Sequence, residues 1–116
     1  MIKRKDDLKV VLNEHMKGGD GTVKIIHYAE KEEINGKCRL MAKIVLEPNC
    51  SIGEHTHIDE EEIFYISKGT ATYYDNGETV LLNEGDSAIC LGGQTHSIAN
   101  RTDSTVEVIA TVLLYK

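Results

Sequence analysis

The chain has 116 residues, a net charge of −6, 41% hydrophobic residues and 28% charged ones, the profile of one globular domain with a core of its own. No dense basic face follows the opening Lys3-Arg4-Lys5, which speaks against nucleic acid and against an anionic membrane surface. No apolar run approaches the roughly 18–20 residues of a membrane span, and charges recur through Lys9 where a leader would be apolar.

In chain order, Leu8–Met16 suits a helix or an edge strand equally. Gly18, Gly19 and Gly21 crowd the next loop, but no Gly-Lys-Ser/Thr follows to make it a phosphate loop. From residue 22 onward short β-rich runs alternate with turn residues. They are Thr22–His27, Arg39–Leu46, Glu62–Ser67, Thr70–Tyr74, Thr79–Leu82, Ser87–Leu91, His96–Ala99 and Val106–Tyr115. Asn76-Gly77, between two of them, is the strongest hairpin signal, since both residues tolerate positive φ. With one Phe, one Pro and no Trp, the core must be built mainly from Ile, Leu, Val and Ala. Many short strands at regular spacing predict an all-β antiparallel sandwich or barrel in a single domain. The three cysteines, Cys38, Cys50 and Cys90, form neither a disulfide framework nor a CxxC pair, and read as reduced thiols of a cytoplasmic protein.

Chemistry concentrates in residues 53–69. On an extended strand residues i and i+2 face one side, so His55 and His57 project together, with carboxylates close behind. Two imidazoles and a carboxylate suit Mn, Fe, Co, Ni, Cu or Zn rather than Ca or Mg. Alone, such a pair is a weak signal. A second segment, Gly85 to Asn100, adds His96.

Together the two segments resemble the paired motifs of the cupin superfamily. In the first, His55 and His57 fill the HxH, Glu62 follows after four residues and Gly69 after six more. The leading glycine departs: Gly53 stands one residue before His55, and Asn49 holds the expected place. In the second, Gly85, Gly93, His96 and Asn100 fall on the motif, while Leu91 replaces its proline and should leave that turn less rigidly fixed. The resemblance spans about residues 40–113. It implies a double-stranded β-helix, the jelly-roll cupin barrel, over residues 22–116, with one divalent transition metal (Mn, Fe, Ni, Co or Zn) held by His55, His57, Glu62 and His96. On an octahedral ion, four such ligands leave two positions open. With the edge-strand problem, it also implies a homodimer in which the N-terminal segment, residues 1–21, crosses to the partner.

Other residues read more plainly. Asp59, Glu60 and Glu61 look like a solvated acidic run, although Glu61 rivals Glu62 for the ligand place. His15 and His27 lie outside the motifs and read as solvated or hydrogen-bonded side chains. Phe64 shares the strand parity of Glu62, so it packs the core or walls the pocket. Gln94 and Thr95 stand on the loop before His96, within reach of a ligand or water.

The functional expectation is a metal-dependent enzyme acting on a small polar or anionic metabolite, of isomerase, lyase, decarboxylase or dioxygenase type. The alternatives are a non-enzymatic small-molecule binding module with a metal-dressed pocket, and a metal that only braces the barrel. Catalytic residues beyond the ligands are not apparent, and fold alone does not choose among these.

Overall fold

The computed structural model describes residues 1–116. Ten strands and three single 3-10 turns make up its regular structure. The strands are β1 Lys9–Glu14, β2 Thr22–Ala29, β3 Cys38–Leu46, β4 Ser51–Thr56, β5 Glu60–Lys68, β6 Ala71–Asp75, β7 Glu78–Leu82, β8 Ser87–Cys90, β9 Thr95–Ala99 and β10 Val106–Leu114. All pairings are antiparallel. They form a six-stranded sheet ordered β1-β2-β3-β10-β5-β8 and a four-stranded sheet ordered β4-β9-β6-β7. Chain-distant strands lie side by side, as in a jelly roll, and their inner faces enclose one core.

Strict alternation decides which faces those are. Along β10, Val106, Val108, Ala110 and Val112 are buried while their neighbours are half-buried. In β5 the buried set is Glu62, Phe64 and Ile66, so a carboxylate stands in line with two core side chains. Within Leu8–Met16, open between helix and strand in the sequence, Lys9–Glu14 forms the edge strand β1 and pairs with β2. The expected hairpin forms at Asn76-Gly77, where φ is +45° and +114° and Asp75 pairs with Glu78. Ser51–Thr56 is a strand that no β-rich run announced; only the His55/His57 pair at its end marked it.

Two departures from regularity fix the entrance to the barrel. The β4–β9 register runs Ile52↔Ile98 and then His55↔His96, so β4 carries one extra residue. Without that bulge Ile52 and His55 would face opposite sides; with it both face inward. Gly53 lies in the bulge, and a Cβ there would collide with the Lys17 carbonyl oxygen, as one at Gly19 would with that of Ser51. These glycines let the backbone around Lys17 press against β4. The Ser51 N–H donates to Asp20 O at 2.9 Å, and the Asp20 N–H to Ser51 Oγ at 2.8 Å.

Candidate metal centre

Three strands bring the four predicted residues together. His55, next to last in β4, lies directly opposite His96 of β9. His57 follows β4, its backbone tied to the β8–β9 loop by its own N–H to Gln94 O at 3.2 Å and by the Gly93 N–H to His57 O at 2.7 Å. Glu62 comes from β5 across the barrel. Ligand atoms of all four lie within 4.8 Å of one another, three of the side chains buried and His55 half-buried.

The inner contacts are close. His57 Nε2 stands 3.0 Å from Glu62 Oε1 and 3.0 Å from His96 Nε2. His96 Nε2 stands 3.1 Å from both His55 Nε2 and Glu62 Oε1. Neighbouring ligands at ~2.1 Å from an octahedral ion would be about 3.0 Å apart, and about 3.4 Å around a tetrahedral one.

Outer contacts settle what the inner atoms can offer. His55 Nδ1 donates to Gly53 O at 2.8 Å, and His57 Nδ1 to Glu60 Oε2 at 2.6 Å. Those protons leave a lone pair on each Nε2. His96 Nδ1 pairs with the Tyr73 hydroxyl at 2.8 Å, so its Nε2 also faces the centre. With the His96 Nδ1 proton on the Tyr73 oxygen as well, three ring nitrogens and a carboxylate converge as acceptors, a donor set that suits a divalent cation. Without one, protons must fill the gap. Hydrogen bonding to Glu62 accordingly holds His57 above the usual imidazole range. Burial pushes the Glu62 carboxyl up, but hydrogen bonds from His57 and His96 outweigh it and leave the group below its ordinary value. Burial lowers His55.

Around this cluster Phe64 stacks on His96, centroids 5.1 Å apart and planes 15° from parallel, so it packs the core against the cluster and does not line the cavity. A cavity of about 320 Å³ opens from the cluster. Ile44, Ile52 and Val112 line it deeply, and Met16, Lys17 and Arg39 also border it.

The structure revises several sequence expectations. Glu60 does not belong to a solvated run: its side chain is 14% exposed and accepts from both Arg39 and His57. The Arg39 guanidinium, and then His57, hold its carboxyl down at about 2. Glu61 has the opposite strand parity from Glu62 and stays outside the cluster. His15 and His27 also stay outside, His15 Nδ1 bonding Gly19 O at 3.2 Å. Gln94 and Thr95 brace rather than enter: Gln94 Oε1 accepts from Leu91 N–H at 2.9 Å, and the hydroxyls of Thr95 and Thr56 pair at 2.7 Å. That Gln94 contact and a bond from Gly92 N–H to the Tyr115 hydroxyl at 2.8 Å pin the turn that Leu91 was expected to loosen. Asn100, the end of the second motif, is structural, with its amide on Leu46 O and Ser104 O. Tyr73 and Arg39 are functional neighbours that sequence reading missed; each depends on a strand pairing that spacing does not reveal.

The family model for the cupin domain matches residues 42–112. The chain belongs to the cupin family. Among its relatives, the oxalate-binding protein of Thermotoga maritima is 35% identical over 114 residues, 98% of this chain and 94% of that protein. A crystal structure from the same organism, described as a predicted oxalate decarboxylase, superposes with a TM-score of 0.92 at 35% identity, covering 98% of this chain and 99% of that one. The polyketide cyclase of Streptomyces resistomycificus shares the cupin fold at a TM-score of 0.77 and 18% identity, over 100% of this chain and 81% of the other. That last likeness carries fold alone.

Proposed function

We propose that this cupin binds one divalent first-row transition metal through His55, His57, Glu62 and His96, and acts as a metal-dependent enzyme on a small carboxylate anion. The observation that carries the reading is the convergence of four ligand atoms within 4.8 Å of one another, with His55, His57 and Glu62 lining an open cavity. Bound there, the metal supplies Lewis-acid polarisation of a ligand oxygen. The chain does the rest. With one carboxylate among four ligands, a divalent centre keeps a net charge of about +1, which favours an anion. Lys17 borders the same cavity and adds positive charge, while Arg39 offsets the ionised Glu60 beside it. Ile44, Ile52 and Val112 keep its depth apolar and strengthen those attractions. The 320 Å³ cavity sits at the small end of ligand sites, suited to a small metabolite. The relative named an oxalate-binding protein supports a small dicarboxylate as the first anion to try.

A non-enzymatic binding module is the second reading, and one observation favours it. Apart from the four ligands, the titratable groups lining the cavity are Lys17, Arg39 and Glu60, and Arg39 keeps Glu60 ionised. No neutral acid stands ready to protonate a product.

The test starts with elemental analysis of untagged protein purified without added metal, expected to give about one equivalent per chain. Protein stripped and reloaded with Mn(II), Fe(II), Co(II), Ni(II) or Zn(II) is then titrated with oxalate and other small carboxylates, products being followed by NMR. Turnover that depends on the metal and vanishes in His57→Ala supports the enzyme. Saturable binding without product, for every metal, moves the reading to the binding module. Failure to take up any of the five metals refutes the proposal.

A further inference from the structure

Glu60 has the closest polar contact to any ligand in the cluster, and nothing in the spacing of the motifs asks for it. Its Oε2 accepts the Nδ1 proton of His57 at 2.6 Å, while Arg39 donates Nε–H to its Oε1 at 2.7 Å and a second N–H to Oε2. Arg39 reaches this place through a backbone irregularity. Ala42 and Ile44 of β3 face the core, so strict alternation would turn Arg39 outward. In the β3–β10 ladder, however, Val112 pairs with Leu40 and Leu113 with Cys38, leaving Arg39 as an extra residue in a bulge. Bulges of this kind re-aim a side chain, and this one sets Arg39 among the residues of the cavity.

We propose that Glu60, clamped in place by Arg39, is the positioning residue of the metal centre, fixing the tautomer and ring orientation of His57 so that Nε2 meets the ion. The inference rests on the metal-binding reading above and deepens it. Histidine has two free torsions and two tautomers, and only one combination presents the right lone pair. A carboxylate that accepts from Nδ1 selects that combination and makes the ring a stronger donor to the ion. A lone glutamate would keep its own rotamer freedom. The two-point contact from Arg39 removes it, since a guanidinium fork fits only one carboxylate orientation. Arg39 therefore acts on the ion through Glu60 and not directly.

The experiment measures Co(II) affinity by chelator competition, together with the Co(II) visible spectrum, in wild type, Glu60→Ala, Glu60→Gln, Arg39→Ala and the double Ala variant. Glu60→Ala should weaken Co(II) by roughly 10–100-fold and alter the ligand-field bands. Glu60→Gln keeps an oxygen for the His57 proton and should restore part of the affinity. Arg39→Ala should lose less than Glu60→Ala, and should cost nothing further once Glu60 is gone. Circular dichroism of each metal-free variant controls for folding, and the near-isosteric Gln variant keeps the test open if Ala does not fold. Wild-type affinity and an unchanged spectrum in Glu60→Ala and Glu60→Gln would overturn the proposal, as would a full Arg39 effect in the absence of Glu60. A wild-type protein that takes no Co(II) would overturn the metal reading itself, a separate result.

Discussion

Asn100→Ala should destabilise the barrel and leave metal affinity unchanged. Asn100 is 1% exposed and closes four hydrogen bonds. Its amide donates to Leu46 O at 2.8 Å and Ser104 O at 2.7 Å, and its Oδ1 accepts the Thr102 N–H at 2.9 Å and hydroxyl at 2.7 Å. Thr102 and Ser104 lie near solvent and can turn to water. Leu46 is fully buried, so water cannot replace the bond its carbonyl loses, at a cost of ~1–3 kcal/mol. Losing the turn that Asn100 organises adds to this, for a total of about 2–3 kcal/mol. At ~2.1 cal/mol/K per residue, the unfolding entropy of 116 residues is roughly 0.24 kcal/mol/K, so Tm should fall by about 8–12 °C. Thermal melts of the metal-free proteins by circular dichroism give that shift, and chelator competition gives the affinity. A Tm drop under about 3 °C would refute the hydrogen-bond account. A parallel collapse of metal affinity in folded protein would refute the separation of Asn100 from the site.

Three further outcomes are expected. His57→Ala and His96→Ala should lose tight metal binding yet stay folded, because the core is mostly aliphatic and spread over both sheets; wild type alone should gain about 2.7 kcal/mol at a hundredfold metal excess over Kd. Unfolded variants at room temperature would instead make the ion a brace. Cys90 should resist thiol reagents in the native state, since it is 2% exposed and burial pushes its thiol up to about 11; titration before and after denaturation checks this, and equal rates in both states would refute it. The outer face of the six-stranded sheet exposes Val10, Leu12, Tyr65 and Ile89, so light scattering should find a homodimer at twice the chain mass of 12.9 kDa, and a monomer at micromolar concentration would refute it.

The fold was legible because alternation and turn chemistry agree across most of the chain. β10 reads as buried-then-half-buried from Val106 onward, and Asn76-Gly77 both takes and supplies positive φ. The four clustered residues were legible because their order and spacing resemble the paired cupin motifs, while strand parity alone joined only His55 to His57. Leu8–Met16 was not, since an edge strand with one covered face carries a pattern that a helix can also carry. Its pairing with β2 decided the matter, and pairing is a long-range fact.

Glu60 and Arg39 were hidden for a different reason. Within Asp59-Glu60-Glu61-Glu62, composition makes every carboxylate equivalent and a solvated run the natural reading. What distinguishes them is parity and partners: Glu60 and Glu62 share the inner face of β5, Glu61 does not, and only Glu60 meets a guanidinium. That guanidinium is available because of a one-residue bulge opposite Val112 and Leu113, an event that leaves no mark on hydrophobic periodicity. The bulge at Gly53 is the counterpart on the other sheet, and it re-aims His55. Both sheets therefore break register at the mouth of the barrel, and each break turns a polar side chain toward the same centre. Regular strands alone, drawn from the same sequence, would face His55 and Arg39 away from it. In this chain the motifs name the candidate ligands, while two bulges, at Arg39 ahead of the motifs and at Gly53 inside the first, aim the side chains around them.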